Sequence, residues 1–304
     1  MRVIYRGDLD GCVCAAILMD VGLCDSLEQA HPKDMQEGKV DVTSEDIICN
    51  LPYHPNCHMW FDHHSSEMNR SDMPNDFTGL VDVAPSAANL VYKYFVDEHS
   101  ALKKYEDLVH DTDLVDSANL TLEQVSNPHG TILLGLLLDP RTGLGMQRDM
   151  TISNFQWVSG VPELLTKHSV EEILAMPDSA ERVDRYNEMQ AAASDFYGAN
   201  SHMDGNVIVT DVRGKDVPPA NRFLIYTLPG LSNGNISVRI ADGKKGEFDT
   251  ISVAHSIFNR TSSVDSGELC KGYGGGGHRG AATCQPALFD SDTVFHEIVS
   301  ACKK

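Results

Sequence analysis

The first half of the chain alternates short apolar runs with segments of helical spacing. Residues 3–5, 46–49 and 58–61 have the length and composition of buried strands, and polar or glycine-containing turns follow them. Helical patterns occupy residues 13–18, 86–96 and 102–109. Strands that alternate with helices are typical of a parallel sheet covered on both faces, so this pattern predicts the α/β class.

A long charged segment, residues 178–200, predicts a linking helix because glycine and proline are absent from it until Gly198. Helices are also predicted over residues 131–138 and 170–176. Beyond the linker, the pattern predicts strands over residues 206–212, 223–227, 236–240 and 250–253, and helices over residues 254–258 and 292–302. We therefore expect a first domain over residues 1–177, a helical linker over residues 178–200 and a smaller mixed α/β domain over residues 201–304.

The charge balance narrows the class of binding partner. The 304 residues include 24 Lys and Arg against 44 Asp and Glu, a formal net charge of −20. Proteins that hold long nucleic acids make many basic contacts to phosphates. We therefore expect a short anionic substrate, with a short single-stranded nucleic acid as the upper limit. Acidity that serves only solubility is the alternative.

Targeting and cysteine patterns predict the compartment. The chain has no apolar run of about 18 residues and no basic-then-apolar leader, so we expect neither a membrane span nor secretion. Its 8 cysteines are scattered without a Cys-x-x-Cys pair, which favours reduced thiols. We predict a cytoplasmic protein with no membrane partner, and leave open whether it forms a homodimer.

Candidate metal ligands follow two of the predicted strands. Asp8 and Asp10 come after the first strand, and Asp62-His63-His64 ends the third. Ligands of parallel sheets bind beyond the carboxyl ends of strands, and carboxylates with imidazoles are common ligands of divalent metals. Two carboxylates so close together repel each other unless a cation neutralises them. A helix N-cap by a single aspartate is the alternative.

Other polar side chains could complete this site. His54 and His58 lie upstream of the triplet and could be further ligands or substrate contacts. One carboxylate from the segment that follows the helix over residues 102–109 could also serve as a late ligand, the candidates being Asp111, Asp113 and Asp116. A helix end that is simply capped and solvated is the alternative for these aspartates.

A second polar signal lies near the C-terminus. A glycine run, Gly274 to Gly277, is followed by His278 and Arg279. Backbone N–H groups, an imidazole and a guanidinium in one short loop predict a binding site for an anion. A flexible turn is the alternative. Arg239, on a predicted strand, is a second candidate ligand for phosphate.

These motifs resemble those of the DHH phosphoesterase superfamily with a C-terminal DHH-associated domain. Asp62-His63-His64 matches the motif that names the family, Asp8-x-Asp10-Gly11 resembles its first motif, and the Gly275-Gly276-Gly277-His278 stretch resembles the signature of the associated domain. The group includes nano-RNases, cyclic-dinucleotide phosphodiesterases and exopolyphosphatase-related proteins. The resemblance implies a parallel-sheet DHH domain, a smaller mixed α/β domain and an active site in the cleft between them.

The resemblance also implies roles for individual residues. Asp8 would bind a first metal ion, and Asp10, His63 and Asp113 a second. Asp62 and His64 would be catalytic, with His64 orienting the site or contacting phosphate. Substrate would be held by the second domain, through Arg239, Gly275, Gly276, Gly277, His278 and Arg279. Two Mn²⁺ ions are the expected cofactor, with Mg²⁺ or Co²⁺ as alternatives.

Two positions depart from the family pattern. Ile4 stands where many members have a histidine, four residues before the first aspartate. Asn50 falls where members have a metal-bridging aspartate. A neutral amide is a poorer bridge than a carboxylate, so the first metal site is expected to be weak, or to be completed by His54 or another residue.

The resemblance implies a metal-dependent phosphoesterase that hydrolyses short substrates with a metal-activated water. Short oligoribonucleotides or linear and cyclic dinucleotides are the first choice of substrate. An exopolyphosphatase-like hydrolase of phosphoanhydrides is the second enzymatic interpretation. A non-catalytic sensor of nucleotides or phosphate is the alternative outside enzymes, and the departures at Ile4 and Asn50 are compatible with it.

Overall fold

The computed structural model describes residues 1–68 and 76–303, and the chain divides into two compact units. Unit 1 comprises Met1–Asn119 and Pro128–Tyr186, and unit 2 comprises Leu120–Asn127 and Asn187–Lys304. The division falls inside the long helix Pro177–Asn200, which the sequence predicts as a linker. None of the helices in the described residues is long and apolar enough to span a bilayer.

The secondary structure confirms the predicted α/β class. The strands are β1 (Arg2–Arg6), β2 (Ser26–Ala30), β3 (Asp46–Cys49), β4 (Met59–Asp62), β5 (Thr78–Val81), β6 (Ser201–Asp204), β7 (Val207–Asp211), β8 (Ile236–Asp242), β9 (Asp249–His255), β10 (Gly276–His278) and β11 (Ala281–Cys284). The α-helices are α1 (Leu9–Asp20), α2 (Pro32–Gln36), α3 (Ser65–Met68), α4 (Ala87–Phe95), α5 (Glu106–Asp116), α6 (Leu122–Ser126), α7 (Gly130–Leu138), α8 (Asn154–Lys167), α9 (Val170–Ala175), α10 (Pro177–Asn200), α11 (Ser266–Lys271) and α12 (Ser291–Cys302).

The described part of unit 1 contains a parallel sheet with the strand order β2-β1-β3-β4-β5. Its central strands are buried on both faces, since Ile4 and Tyr5 of β1 and Ile47 and Ile48 of β3 are all fully buried. Helix α1 is also buried along most of its length, from Leu9 to Leu18. A helix that is apolar all round belongs inside a core, so α1 provides a firm base for the polar residues at its start.

The described part of unit 2 contains a mixed sheet in the order β10-β11-β9-β8-β7-β6, in which only β7 and β8 are parallel. Residues of β8 alternate between its two faces. Ile236, Val238 and Ile240 are buried in a cluster that includes the apolar residues of α12. Ser237 and Arg239 lie on the other face and are half-buried. The sheet therefore presents polar side chains on the face away from α12.

Two predicted elements of unit 2 are wrong. The predicted strand over residues 223–227 is instead a short 3₁₀ helix, Leu224–Thr227, and the predicted helix over residues 254–258 does not form because β9 continues to His255. The Tyr226 hydroxyl explains the first error, since it bonds the Ser237 side chain and the Ala254 carbonyl at 2.8 Å each. Short apolar segments look alike as strands and helical turns until such contacts select one.

Asp46 at the start of β3 joins this strand to β1. Its buried carboxylate accepts hydrogen bonds from Arg2 Nε and Nη2 at 2.7 and 2.6 Å, and from the Thr43 backbone N–H at 2.6 Å. Burial opposes ionisation, but the bonds from Arg2 and Thr43 outweigh it and hold the pKa of Asp46 below its usual value of 3.8. The ionised carboxylate therefore contributes stability above pH 3.8, and this contribution is lost as pH falls through the lower pKa of the folded state.

We expect Asp46→Asn to lower the free energy of unfolding by about 2 kcal/mol at pH 7, because the amide loses the ion pair and part of the hydrogen bonding. The deficit should shrink in acid, where the wild type loses the same contribution. Urea unfolding at pH 7 and pH 3 measures both effects, with the exposed Asp97→Asn as the matched control. An equal deficit at both pH values would contradict the ionic role of Asp46.

Candidate metal centre

The order of the parallel sheet brings three strand ends together in unit 1. Strands β1, β3 and β4 are neighbours and run in the same direction, so their carboxyl ends lie at one edge. Asp8 follows β1, Asn50 follows β3 and His63 follows β4. Gly11 allows α1 to start close to β1, since a Cβ at this position would lie 2.0 Å from the Arg6 carbonyl oxygen. The ends of parallel strands are where such folds bind ligands.

Asp10 is a buried carboxylate at the centre of this edge. Its side chain is 1% exposed and accepts hydrogen bonds from the backbone N–H groups of Ala87 and Ala88, at 2.9 and 2.7 Å. These groups belong to the first turn of α4, where the helix dipole favours an anion. Burial, together with the charges of Asp116 and Asp8, still raises the pKa of Asp10 well above its usual value. A cation beside Asp10 would relieve this cost.

The imidazole of His63 directs a ring nitrogen without a hydrogen toward Asp10. Its Nδ1 lies 3.1 Å from the carbonyl oxygen of Ala84, which can only accept, so Nδ1 carries the hydrogen and the Nε2 of neutral His63 presents a lone pair. This Nε2 lies 3.2 Å from Asp116 Oδ2 and 3.7 Å from Asp10 Oδ2. It is buried and has no hydrogen-bond partner in the described residues, because the nearest polar atoms, the carboxylate oxygens of Asp10 and Asp116, are acceptors as well.

The facing acceptors fit one divalent cation. Ligand atoms of Asp10, His63 and Asp116 all lie within 4.8 Å of one another. Two carboxylates and one imidazole suit Mn²⁺ and similar ions, and the bond from His63 Nδ1 to a carbonyl is the usual support for an imidazole ligand. The unpartnered Nε2 is the observation that distinguishes this cluster from an ordinary group of acidic residues.

The aspartate of α5 that joins this cluster is Asp116, whereas Asp113, the predicted late ligand, lies outside it. The Asp113 carboxylate accepts hydrogen bonds from Ser86 Oγ at 2.6 Å and Asn89 Nδ2 at 2.7 Å. It thereby holds the start of α4, whose N–H groups bind Asp10. Both aspartates lie on one face of α5, three residues apart, so spacing alone does not choose between them. Asp111 is outside the cluster as well.

Asp8 is placed at the edge but is already engaged. It caps α1, and its Oδ1 accepts hydrogen bonds from the Gly11 backbone N–H at 3.1 Å and from Asn50 Nδ2 at 3.2 Å. Its Oδ2 forms an ion pair with Arg6 Nε at 2.8 Å. Burial raises the pKa of Asp8, and the charge of Arg6 opposes that rise. The predicted first metal position therefore already has a positive charge beside it.

A small cavity of about 20 Å³ lies among these carboxylates and has room for one water molecule or ion. Its polar lining consists of Asp8, Asp10, Thr112, Asp116, Asp139 and Arg141. Arg141 forms an ion pair with Asp139 at 2.7 Å, and the nearby charges of Asp8 and Asp116 also raise its pKa. Sequence reasoning missed Arg141, although the Asp-Pro-Arg run directly after the apolar helix α7 could have drawn attention to it.

Asp62 and His64 form a separate pair beside the cluster. His64 Nδ1 donates to Asp62 Oδ1 at 2.8 Å, and this bond raises the pKa of His64. Asp62 is fully buried, whereas the His64 side chain is 41% exposed. The ring centroids of His63 and His64 are 4.5 Å apart. The pair therefore presents an oriented imidazole to solvent next to the candidate ligands.

The remaining histidine candidates of unit 1 do not join the cluster. His54 Nδ1 accepts a hydrogen bond from the Asn56 backbone N–H at 3.3 Å, and His58 is exposed at the start of β4. Neither belongs to the one group of three metal-ligating side chains found in residues 1–68 and 76–303.

Unit 2 carries cationic side chains without anionic partners. Arg239 is half-buried on β8 between Thr210 and Ser252 of the neighbouring strands, and its guanidinium has no hydrogen bond or ion pair within the described ranges. The Arg279 side chain is exposed and likewise unpaired there. His278 Nδ1 accepts from the Gly280 backbone N–H at 3.1 Å, which leaves Nε2 as a donor. These groups are free to bind an anion.

His255, at the end of β9, is a further basic group that sequence reasoning missed. Burial and then the charge of Arg279 lower its pKa, and His278 acts in the same direction. Its Nε2 is buried without a partner in the described part of the chain. His255 was missed because the sequence pattern places it in a predicted helix, over residues 254–258, and not at the end of a strand.

The glycine run is tightly packed, and part of it is unavailable to an anion. The N–H of Gly275 donates to the Cys270 carbonyl at 2.9 Å, so this predicted donor is occupied. A Cβ at Gly275 would lie 2.2 Å from the Thr283 carbonyl oxygen, and one at Gly277 would lie 2.4 Å from that of Ala281. Gly276 and Gly277 lie in β10 at the edge of the sheet. The run thus lets β10 approach β11 and place His278 at the surface.

Comparison with known proteins identifies the family. No protein-family model and no curated protein matches the sequence. The fold is similar to the solved structure of PggH, a pGpG-specific phosphodiesterase from Vibrio cholerae, with a TM-score of 0.84 and 35% sequence identity over 98% of this chain and 99% of that one. The chain belongs to the DHH phosphoesterase superfamily. The predicted DHH membership is thereby confirmed.

Two more distant structures share the DHH fold. An exopolyphosphatase-related protein from Bacteroides fragilis has a TM-score of 0.54 and 12% identity, covering 99% of this chain and 92% of that one. RecJ from Thermus thermophilus, solved in complex with Mn²⁺, has a TM-score of 0.58 and 14% identity. This match covers 99% of the DHH chain described here but only 51% of RecJ. At these identities the likeness extends to the fold alone.

Asp116→Asn should weaken Mn²⁺ binding by at least about 100-fold, since it removes a charged ligand, whereas Asp113→Asn should change it by less than about 10-fold. In Asp113→Asn the amide of Asn89 can turn and present its Oδ1, which has no partner in the described residues. Calorimetric titration of the two variants with Mn²⁺ makes the comparison. The reverse order of effects would restore Asp113 as the late ligand.

Proposed function

We propose that this DHH protein is a divalent-cation-dependent phosphodiesterase that cleaves linear dinucleotides, with pGpG as the first candidate substrate. The observation that carries the proposal is the convergence of Asp10, Asp116 and the unpartnered Nε2 of His63. Similarity to PggH over almost the whole of both chains supports the choice of substrate. The net charge of −20 favours a short substrate over a long nucleic acid.

Asp10, His63 and Asp116 would hold the cation, with Mn²⁺ as the first choice and Mg²⁺ or Co²⁺ as alternatives. A cation bound there would lower the pKa of a bound water and neutralise charge on the attacked phosphate. Asp113 and the first turn of α4 keep Asp10 in place. The proposed ligand set thus replaces Asp113 with Asp116.

His64 is proposed to bind the phosphate or protonate the leaving oxygen. Asp62 holds its Nδ1, so Nε2 faces away from the buried aspartate, and the raised pKa increases the protonated fraction at neutral pH. Arg141 borders the cavity and supplies a second positive charge for an incoming phosphate. These two side chains lie in unit 1 with the candidate metal ligands.

Unit 2 is proposed to capture the substrate rather than perform the chemistry. Arg239 and Arg279 are cations without ion pairs in residues 1–68 and 76–303, and His278 has a free donor nitrogen. They are suited to the phosphate that is not cleaved. Location in the cytoplasm and assembly into a homodimer stay predictions, as do the domain limits at residues 177 and 200.

The purified protein with Mn²⁺ should release mononucleotides from pGpG and be inactive after chelation. Asp10→Ala and His63→Ala should each lower kcat by at least about 1000-fold, because each removes a ligand that acts in the transition state. His58→Ala, an exposed histidine outside the cluster, is the matched control. Parallel assays with a cyclic dinucleotide and polyphosphate test the other substrate classes, and release of orthophosphate from polyphosphate alone would contradict the proposal.

Variants of unit 2 should separate binding from chemistry. We expect Arg239→Ala mainly to raise KM for pGpG, because a contact to an uncleaved phosphate is equal in ground and transition states. His278→Ala should change both KM and kcat if the imidazole also meets developing charge. Steady-state kinetics should show no change in the controls Arg148→Ala and His296→Ala, which alter exposed side chains. An unchanged KM in Arg239→Ala would overturn the assigned role of Arg239.

A further inference from the structure

Other groups of the protein itself already surround Asp8, where the family pattern predicts the first metal ion. Asp8 Oδ1 accepts two hydrogen bonds, from Gly11 and Asn50, and Oδ2 forms an ion pair with Arg6 Nε at 2.8 Å. Both oxygens of Asp8 are therefore engaged, Oδ1 by two hydrogen-bond donors and Oδ2 by a positive charge. We infer that the centre binds one divalent cation rather than two, and that the Arg6 guanidinium supplies the positive charge at the place of the first ion.

Asn50 removes the need for a second ion. Two carboxylates at positions 8 and 50 would repel each other across this edge unless a cation lay between them. The amide of Asn50 instead donates to Asp8 at 3.2 Å and replaces that repulsion with a hydrogen bond. Its backbone is left-handed, with φ of 55°, a conformation that Asp tolerates as Asn does. The backbone therefore does not require the amide at position 50.

Ile4 offers no ligand to a second ion either. It is fully buried in an apolar cluster that also contains Val42, Ile48 and Trp60. His54, the other candidate for completing a first site, has its Nδ1 bonded to the Asn56 backbone and lies outside the ligand cluster. Asp8 and the unpartnered Oδ1 of Asn50 would remain as the only nearby oxygen ligands among the predicted set.

The charge of the centre agrees with one ion. Four carboxylates line the cavity, those of Asp8, Asp10, Asp116 and Asp139. Two guanidinium groups pair with two of them, Arg6 with Asp8 and Arg141 with Asp139. An imidazole that binds a metal ion contributes no charge, so this arrangement leaves a formal charge of −2, which one divalent cation cancels. A second ion would leave a charge of +2 in a largely buried place, at a high desolvation cost.

Arg6 also has N–H donors that do not contact Asp8. Only its Nε is used by Asp8, the side chain is 28% exposed, and its Nη1 and Nη2 have no hydrogen-bond partner in the described residues. A guanidinium can bind two phosphate oxygens at once and remains charged at every physiological pH. Arg6 can therefore hold the non-bridging oxygens of the attacked phosphate. This part of the inference rests on the proposed function, whereas the number of bound ions does not.

Counting bound ions tests the inference without any substrate. Equilibrium dialysis of the full chain against Mn²⁺, read by elemental analysis, should give one ion per wild-type chain and two per chain of the double variant Arg6→Gln/Asn50→Asp. The matched control, Arg148→Gln/Asn233→Asp, makes the same charge changes at exposed positions and should bind one ion. Zero or two ions in the wild type, or one ion in a folded double variant, would overturn the inference.

Single variants cover the case in which the double variant does not fold. Arg6→Lys keeps the positive charge, so this variant should bind one ion. A second bound ion in Arg6→Lys would contradict the inference that the charge at position 6 takes the place of a metal ion. Arg6→Gln should bind its one ion normally yet lose at least about 100-fold in kcat/KM for pGpG. Unchanged kcat/KM in Arg6→Gln would refute the contact to phosphate. Absence of pGpG hydrolysis in the wild type would instead refute the proposed function and leave the ion count standing.

Discussion

The adjacency of β1, β3 and β4 in one parallel sheet is the constraint on which the site depends. Because these strands are neighbours and share a direction, the residues that follow them meet at one edge, although the first and last of them, Asp8 and His63, are more than fifty positions apart in the chain. Their apolar side chains are buried on both faces, so a register shift of one residue would exchange the two faces, disrupt the packing and displace the candidate ligands. The same packing that stabilises unit 1 therefore fixes where Asp8, Asn50 and His63 lie.

Electrostatic cost is concentrated at this edge and is offset by local donors. Asp10 is buried beside other carboxylates, and two N–H groups at the start of α4 compensate only part of the penalty. Arg6 and Arg141 neutralise two further carboxylates. What remains is a group of facing acceptors whose mutual repulsion a bound cation would relieve.

The sequence predicts features that depend on local order and misses those that depend on orientation. Strand β3, the helices around it and the motifs at strand ends follow from apolar patterning and turn chemistry. The choice between Asp113 and Asp116 does not, because both lie on one face of α5 and only their contacts distinguish them. Arg6 and Arg141 look like ordinary surface arginines until the fold brings their partners beside them. Edge strands such as β2, which is polar and half-buried, also lack a clear pattern.

We expect one cation to lie among Asp10, His63 and Asp116, while Arg6 and Asn50 exclude a second cation from the position beside Asp8. Crystals of the full chain grown with Mn²⁺, measured by anomalous diffraction at the manganese edge, test it most directly. We expect one strong anomalous peak per chain, within bonding distance of His63 Nε2 and of an oxygen from each aspartate. A second peak bound to Asp8 and Asn50, or no peak beside His63, would contradict it.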